Sequence, residues 1–362
     1  MRLAGSSLTT ALRRRHAGMA TLILATSLSV AADPFAAGTM AVFEANGPRE
    51  VDLAPEAAPT LTVFTADGPR EVAIATTWPE VQGGGYLKLS SGYRHDKLRY
   101  NIPGDGINIV SELTWQVPAA EIRLDGGWTH TSGFTVKGHL AYAQTVSGGE
   151  VQDSDYFLND RQGEFSRSYS KPQDSRMIDI SLGAGWNLPL GRGGSLTPMF
   201  GLARYESLYR MRDGRQAISD YGLSMPLGSF PGLDSKYNPV WSSVWQGFEA
   251  EFKPFTRFAL RAAVKHHWFD YRAEADWNLR NDRAHPVSFV HEGHGRGWES
   301  ELGVDWRVFR AHRLTLDLSG RKFELKDGKR TVYAAAGGSV ETSLNEVIAD
   351  SWSARLGYRY EY

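Results

Sequence analysis

Residues Phe258–Lys265, with the sequence FALRAAVK, show the alternation of side chains that specifies the fold of the chain. The even-numbered positions are all apolar, whereas the odd-numbered positions include Arg261 and Lys265. Because successive side chains of a β-strand point to opposite faces, such a strand has one apolar face and one face that carries charge. The same alternation returns in the final stretch Arg355–Tyr362, RLGYRYEY, which ends on an aromatic residue as the closing strand of an outer-membrane barrel usually does.

Ten segments between residues 85 and 362 show this alternation, and most are much longer than the ~5–6 residues typical of strands in soluble sheets. Short connections alternate with long ones, as periplasmic turns alternate with extracellular loops. The sequence therefore predicts an all-β protein, a ten-stranded antiparallel transmembrane β-barrel over residues 85–362 that faces lipid with its apolar side chains. The predicted strands are 85–101, 106–130, 134–148, 176–188, 195–213, 240–255, 257–276, 298–309, 313–335 and 350–362, and the long loops are 149–175, 214–239 and 277–297.

The composition agrees with a membrane barrel. The chain of 362 residues has 11 Trp, 15 Tyr, 16 Phe and 38 Gly at a mean hydropathy of −0.37, and barrels place aromatic rings at both membrane interfaces. The absence of cysteine excludes disulfides, thiol nucleophiles and thiolate metal sites, and a formal net charge of −1 indicates no nucleic-acid partner. The side chains expected in the aromatic girdles are Trp268 with Phe269, Trp241 with Trp245, and Trp298 with Trp306.

The N-terminus predicts export. Arg13–Arg15 precede the apolar run Ala17–Val30, and small residues follow, so residues 1–32 are interpreted as a signal peptide cut near Ala31 or Ala32. The alternative is a membrane anchor, but the apolar run is shorter than the ~20 residues that a helical span requires. The predicted location of the mature protein is the outer membrane, reached through the periplasm.

Residues 33–80 form a separate segment with an internal duplication. Thr39–Val51 (TMAVFEANGPREV) recurs as Thr60–Val72 (TLTVFTADGPREV), and each copy places Asn46-Gly47 or Asp67-Gly68 between β-prone runs, which is a hairpin signal. Two interpretations stay open. The segment is either a linker with two short hairpins, or an element that docks in the periplasm or in the barrel lumen.

Three local matches relate residues 85–362 to a known family. Asp153-Ser154-Asp155-Tyr156 matches an Asp-x-Asp-aromatic motif in the loop after the third strand. Gly228–Pro231 matches a Gly-Ser-Phe-Pro stretch, and Phe258–Lys265 aligns without gaps onto the seventh strand. With these motifs, the chain resembles the omptins, ten-stranded outer-membrane endopeptidases whose active site lies in a cleft at the extracellular mouth.

The resemblance implies four site residues. Continuing the ungapped alignment, Asp276 falls on the catalytic Asp of the family and Asn278 on its catalytic His, while Asp153 and Asp155 correspond to the acidic pair across the cleft. In the family, the His held by the Asp activates water, and the acidic pair helps to bind that water. A general base near neutral pH needs a group such as imidazole, and Asn has no comparable basic site. The resemblance therefore leaves the proteolytic activity open.

Histidines in the following loop offer a replacement base. His285, His291 or His294 could fold back toward Asp276, or they could be solvated and steady the loop through hydrogen bonds to neighbours such as Glu292. The spacing of His291-Glu292-Gly293-His294 differs from His-Glu-x-x-His, which sets two imidazoles on one helical face, so we expect no zinc. These motifs predict no metal and no cofactor.

Four arginines near the top of the fifth strand indicate a lipid partner. Arg204, Arg210, Arg212 and Arg215 could bind the phosphates of lipopolysaccharide, a possible activator. Leu208, however, stands where the omptins carry a lipid-contacting Arg. The protein is expected to be a monomer.

The sequence leaves three functions open. The first is an endopeptidase for basic peptides, which Asp153, Asp155 and Asp276 would attract. The second is a non-catalytic surface barrel for binding or adhesion, which takes a ligand, a cation or a partner such as a surface protein, with the duplicated segment 39–72 contributing a periplasmic contact. The third, a small porin, is less favoured because ten strands leave an interior largely filled by side chains.

Overall fold

The computed structural model describes residues 39–44, 47–52, 60–65, 68–73, 81, 83–191 and 193–362. The predicted signal peptide, residues 1–32, lies outside the described residues. No helix in the described part of the chain is long and apolar enough to cross a membrane.

The duplicated segment contains two antiparallel hairpins. Strand β1 (Thr39–Glu44) pairs with β2 (Gly47–Asp52), and β3 (Thr60–Thr65) pairs with β4 (Gly68–Ala73). In both copies the glycine of the turn motif is opposite the last residue of the preceding strand. The repeated sequence thus produces the same register twice.

Thr77–Tyr362 form a compact unit of their own, and its core structure is a closed ring of ten strands. The ring runs β5, β6, β7, β10, β12, β14, β15, β16, β17 and β18, and β18 pairs with β5 to close it. Every neighbouring pair is antiparallel, so the predicted ten-stranded antiparallel barrel is confirmed. The strands of this unit are β5 (Gly84–Gly104), β6 (Ile107–Thr129), β7 (Phe134–Thr145), β8 (Glu150–Tyr156), β9 (Glu164–Lys171), β10 (Arg176–Trp186), β11 (Leu188–Gly191), β12 (Gly194–Ser219), β13 (Gly228–Phe230), β14 (Ser235–Phe255), β15 (Phe258–Asp276), β16 (Phe289–Phe309), β17 (His312–Tyr333) and β18 (Ser339–Glu361).

The predicted strand ends are accurate at one end of the barrel, whereas at the other end several strands extend beyond their predicted bounds. There, β7 and β17 stop two to three residues before their predicted ends. At the end with short turns, the periplasmic end of such barrels, predicted and observed bounds differ by a few residues. At the extracellular end, β16 begins at Phe289 rather than 298, and β18 begins at Ser339 rather than 350. The predicted loop 149–175 contains the hairpin β8–β9.

An apolar belt surrounds the outside of the barrel. Its exposed side chains alternate with buried polar ones, as lipid-facing and lumen-facing residues do. The belt consists of Leu87, Leu89, Ile122, Leu124, Leu140, Ile180, Leu182, Phe200, Leu202, Val244, Phe248, Leu260, Val264, Leu302, Val304, Leu314, Leu316, Leu318 and Leu356.

Aromatic rings border this belt above and below. The prediction that Trp268, Trp298 and Trp306 face lipid agrees with their exposure. The prediction for Phe269, Trp241 and Trp245 is wrong, because strand alternation turns these side chains into the buried interior. The upper girdle is Tyr93, Tyr142, Trp268, Trp298 and Trp352, and the lower girdle is Trp128, Trp186, Phe252, Phe258, Trp306, Tyr358 and Tyr360.

Charged side chains fill the interior at the level of the belt. Lys88 points inward between two lipid-facing leucines, and its Nζ lies 2.9 Å from Asp317 and 3.4 Å from Asp125. Arg355 donates to Glu121 at 3.0 Å in the same way. We call this set the ion layer, and it consists of Lys88, Arg94, Asp96, Glu121, Arg123, Asp125, Asp179, Arg261, Lys265, Glu299, Glu301, Asp305, Asp317, Arg321, Arg355 and Arg359.

Aromatic side chains fill the interior above the belt. The ring of Trp115 stacks on Tyr237 at 5.0 Å and on Tyr209 at 6.0 Å between centroids. These contacts continue from strand to strand across the lumen, so the upper interior resembles the core of a soluble protein. We call this set the aromatic layer, and it consists of Tyr100, Trp115, Tyr209, Tyr237, Trp241, Phe269, Tyr271, Phe289 and Phe323.

Candidate functional site

The hairpin β8–β9 raises one side of the barrel wall. Strand β8 pairs with the upper part of β6, and β9 pairs with the upper part of β12, so the hairpin occupies the space above β7 and β10. Asp153 lies opposite Leu113, and Asp155 lies opposite Ser111. Because Leu113 is buried in the core, this pairing places both carboxylates on the lumenal side of β8, at the extracellular mouth.

Burial governs the acidity of this pair. It raises the pKa of Asp153 to about 8, the nearby Asp155 adds to the rise, and Arg280 and Arg330 oppose it. Burial also raises the pKa of Asp155, whereas hydrogen bonds with serine hydroxyls on either side lower it. Ionising both of two adjacent, poorly hydrated carboxyl groups is energetically costly. Burial and the neighbouring carboxylate therefore both favour the protonated form of Asp153.

Arg280 and Arg330 are the basic residues that act on the pair, and neither was predicted from the sequence. Arg280 donates to Asp282 at 2.7 Å, while the guanidinium of Arg330 lies 4.7 Å from the ring centroid of Phe289. They come from the loop after β15 and from β17, far from Asp153 in sequence. No spacing or motif signals their approach, which depends on closure of the barrel.

Asp276 binds a histidine, but not at the position that the omptin motif predicts. Its Oδ1 is 2.7 Å from Nδ1 of His285, and both side chains are partly exposed. Asp276 ends β15, where Ala273 and Ala275 are fully buried on the lumenal side. Alternation therefore turns Asp276 toward the outer side of the wall.

Asn278 acts as a structural bridge. Its Oδ1 accepts hydrogen bonds from the Asp234 amide at 2.9 Å and the Ser235 hydroxyl at 3.0 Å, and its Nδ2 donates to the Gly232 carbonyl at 2.7 Å. The amide thus joins the loop after β15 to the start of β14. A side chain with both an acceptor and a donor suits this position.

The other two candidate histidines occupy opposite environments. His291 is fully buried, and its Nδ1 is 2.9 Å from the Tyr237 hydroxyl. Burial, helped by Arg330, lowers the pKa of His291 well below its ordinary value, so the ring is neutral. His294 lies on the outer surface and contacts Asp270 at 2.5 Å. Neither contacts Asp276, so among the three only His285 does.

The structure thus joins the candidate residues into two pairs. Asp153 and Asp155 form one on the lumenal side of β8, and Asp276 with His285 forms the other at the upper end of β15. Asn278 belongs to neither. The catalytic roles that the omptin motif implies for these residues stay predictions. In the described residues, no three His, Asp or Glu side chains converge as metal ligands would.

The arginines predicted to bind lipopolysaccharide already have partners in the protein. Arg204 pairs with Glu206 at 3.1 Å, and Arg210 pairs with Asp234 at 2.5 Å. Arg212 lies 3.6 Å from Asp174. The fourth, Arg215, lies over the ring of Tyr169 at 5.8 Å.

Comparison with known proteins supports the fold. The outer membrane protease OmpT of Escherichia coli has a TM-score of 0.66 and 15% identity, over 79% of this chain and 99% of its own. OprG of Pseudomonas aeruginosa has a TM-score of 0.32 and 10% identity, over 78% of this chain and 97% of its own. The NalP translocator domain of Neisseria meningitidis has a TM-score of 0.34 and 10% identity, over 77% of this chain and 88% of its own. At these identities the likeness to OmpT is one of fold, and the other two similarities are too weak to add to it.

No curated protein matches the chain. The model of the Protochlamydia outer membrane protein family, Pom, matches residues 88–361, which covers the barrel almost completely. The closed ring of strands, the lipid-facing belt and this match agree on location as well as fold. The chain therefore belongs to the Protochlamydia outer membrane protein family and is a ten-stranded β-barrel of the outer membrane.

Proposed function

We propose that the extracellular mouth binds basic peptides through Asp153 and Asp155. The observation that supports this proposal is the placement of two poorly hydrated carboxylates side by side on the lumenal face of β8. Within the described residues, neither forms a salt bridge, since Arg280 pairs with Asp282 and Arg330 lies over an aromatic ring. A cationic side chain entering the mouth would offset the cost of ionising the pair.

Binding of this kind is coupled to proton release. Since burial raises the pKa of Asp153 to about 8, a bound cation stabilises the ionised form and displaces a proton. The affinity for a basic peptide is therefore expected to increase as the pH rises from about 6 to about 9. A ligand held only by apolar contacts would show no such dependence.

The second candidate function is peptide hydrolysis with His285 as the base. The contact of 2.7 Å between His285 Nδ1 and Asp276 supports it, because a carboxylate that holds an imidazole fixes its tautomer and orientation. Arg280, from the same loop as His285, acts on Asp153, so this loop borders both pairs. This candidate would be a divergent omptin in which the base comes from the loop after β15 rather than from position 278.

A third possibility, diffusion through the barrel, has less support. The ion layer and the aromatic layer cross the described interior at two levels, which favours a binding barrel over a channel. A cavity of about 920 Å³ lies at the end of the barrel that carries Gly84 and Tyr362, far from the acidic pair.

Lipopolysaccharide is the proposed lipid partner. Arg204 is exposed on the outer face of β12, just above Leu202 in the belt, at the height where phosphates of the outer leaflet lie. Its exposed partner Glu206 contributes little to stability, so a phosphate can compete for the guanidinium. Experiments on the mouth should therefore be done with and without lipopolysaccharide.

The binding test uses the refolded barrel and a fluorescent dibasic peptide. We expect Asp153→Asn with Asp155→Asn to weaken binding by about tenfold or more, since each substitution removes a partly desolvated charge. Asp220→Asn, at an exposed carboxylate near the extracellular end, serves as the matched control. Equal binding by the double variant and the control would show that the acidic pair is not the peptide site.

Cleavage of the same peptide, followed by mass spectrometry, separates the two candidates. Cleavage that disappears in His285→Ala and persists in His294→Ala would support hydrolysis with His285 as the base. No cleavage by the native chain, together with cleavage by Asn278→His, would indicate a peptidase that has lost its base. Binding of the peptide without cleavage by either protein would support binding, rather than hydrolysis, as the function.

A further inference from the structure

An uncharged apolar segment lies at the extracellular tip of the barrel. Residues 221–233, YGLSMPLGSFPGL, connect β12 to β14 and contain no charged side chain. Leu223 is 64% exposed and Leu227 is 67% exposed, and Tyr221 and Met225 are exposed beside them. Soluble surfaces seldom present so many large apolar side chains in one short stretch unless they bind something.

The connection between β8 and β9 extends this surface. The ring of Phe157 lies edge-on to Tyr221 with 5.3 Å between centroids, and it stacks on Phe165 at 4.1 Å. Leu158 is exposed next to it. Two loops from different parts of the chain therefore form one surface, which we call the tip patch: Phe157, Leu158, Tyr221, Leu223, Met225 and Leu227.

The membrane of the protein itself cannot cover the tip patch. Strand β12 faces lipid at Phe200 and Leu202 and then continues to Ser219 before the patch begins. At ~3.3 Å per residue and the usual tilt of barrel strands, the patch lies roughly 40 Å beyond the belt.

The charges around the patch exclude a preference for an anionic lipid surface. Asp160 and Asp220 flank it together with Arg161 and Arg215, so the two signs balance. An anionic membrane would be attracted by an excess of basic residues. A patch of Tyr, Phe, Met and Leu with a balanced rim is instead typical of the centre of a protein interface.

An open strand edge borders the patch and indicates the form of the partner. Strand β13 pairs with β12 through Gly214↔Phe230 and Gln216↔Gly228. In the part of the chain that the structure describes, β13 has no other strand neighbour. Its remaining edge offers backbone donors and acceptors, which an extended peptide can pair with by adding a strand.

We propose that the tip patch binds an extended, uncharged, apolar segment of a partner protein. The segment pairs with the open edge of β13 through its backbone and packs its side chains on Leu223 and Leu227. The uncharged surface complements an uncharged segment, because a charged side chain buried there would lack a partner. This interaction is separate from the binding of basic peptides by Asp153 and Asp155.

The test uses the full barrel in lipid nanodiscs and a fluorescein-labelled peptide of alternating valine and threonine, kept below the concentration at which it self-associates. We expect saturable binding in fluorescence anisotropy. Leu223→Ser with Leu227→Ser should weaken it by about tenfold or more, because two apolar contacts are lost. Val340→Ser is the matched control, since Val340 is 64% exposed at another extracellular strand end and should leave binding unchanged.

A second probe tests the backbone pairing. The same peptide with N-methyl groups on alternate residues along one edge cannot donate to β13, so its affinity should fall by about tenfold. Asp153→Asn should bind both probes as the native chain does. Loss of binding in that variant would show that the tip patch and the acidic pair are one site, which would contradict the proposal.

Three results would overturn the proposal. The first is equal binding of the peptide by the native chain and by the Leu223→Ser, Leu227→Ser variant. The second is flotation of the nanodiscs with phosphatidylcholine vesicles that depends on these leucines, which would assign the patch to a lipid surface. The third is association of two barrels that depends on them, which would assign it to a second copy of the chain.

Discussion

The lumen at the level of the belt and the lumen above it are built from the same strands with opposite chemistry. On β17, Leu316 faces lipid while Asp317 faces the lumen, and six residues further Phe323 faces the lumen while Lys322 faces outward. The alternation of two continues without interruption, but the apolar and polar faces exchange places. Each strand therefore passes from a lipid environment into an aqueous one. Lipid favours apolar side chains on the outer face, whereas water favours them on the inner face.

Breaking the ion layer is expected to have the largest effect. Lys88→Met removes the cation shared by Asp125 and Asp317, so these buried carboxylates keep only Arg123 and Arg261 as salt-bridge partners among the described residues. We expect the loss to cost about 3 kcal/mol in the free energy of unfolding. The measurement is urea unfolding of the barrel in lipid bilayers, followed by tryptophan fluorescence. Lys326→Met is the control at an exposed position above the belt, and it should leave the free energy of unfolding nearly unchanged, because solvent screens its pair with Glu324. Similar losses in both variants would show that the ion layer contributes no more than a surface charge.

The aromatic layer should respond less to a comparable loss. Tyr237→Phe removes a hydroxyl that lies 2.6 Å from Tyr271 Oη and 2.9 Å from His291 Nδ1, so both partners lose a hydrogen bond in a buried site. We expect the free energy of unfolding to fall by about 1–3 kcal/mol. The lipid-facing Tyr142→Phe should change it by less than about 0.5 kcal/mol. If the two variants unfold at the same urea concentration, the buried hydroxyl network does not stabilise the upper lumen.

The acidic pair above the aromatic layer should make stability depend on pH. Because the pKa of Asp153 rises to about 8 in the folded chain, its ionisation opposes folding, and stability is lost as the pH rises from about 4 to about 8. Asp153→Asn should therefore be more stable than the native chain at pH 9, by about 1 kcal/mol or more, and equal to it at pH 4. Unfolding midpoints at the two pH values measure this, with Asp220→Asn as control. An Asp153→Asn variant that is less stable at pH 9 would contradict the desolvation of this half-buried carboxyl.

The smallest effect is expected on the outer surface above the belt. Asp270→Asn weakens a contact of 2.5 Å with His294, whose side chain is 86% exposed. Solvent screens such a pair, so the free energy of unfolding should change by less than about 1 kcal/mol. Urea unfolding at pH 6 and pH 8 would check this. A loss larger than that of Tyr237→Phe would mean that the exterior of the upper wall contributes more to stability than the interior.

The same contrast explains which strand ends could be predicted. Near lipid, the apolar face stands out, and the lower end of β15 is observed at Phe258, within one residue of its predicted start. Above the belt, the outer face is solvated and the inner face is apolar, so a rule that expects apolar residues outside fails there. Strand β16 illustrates this, because its first part carries the buried Phe289 and His291 inward and was predicted as loop.

The candidate site was predictable only in part. The Asp-x-Asp motif placed Asp153 and Asp155 together, and alternation along β8 puts two such residues on one face. The contact between Asp276 and His285 could be proposed only as one of several, since three histidines follow in the loop. Arg280 and Arg330 could not be found, because their approach to Asp153 depends on how two distant segments fold over the mouth.

The amino-acid sequence is sufficient to predict an outer-membrane barrel with ten antiparallel strands, since a period-two alternation, repeated over long segments and bounded by turns, allows few other folds. The sequence does not reveal which charges neutralise one another inside, which histidine contacts Asp276, or where the apolar tip lies. Those contacts join residues that are far apart in sequence. They exist only once the ring has closed and set the height of each strand against its neighbours.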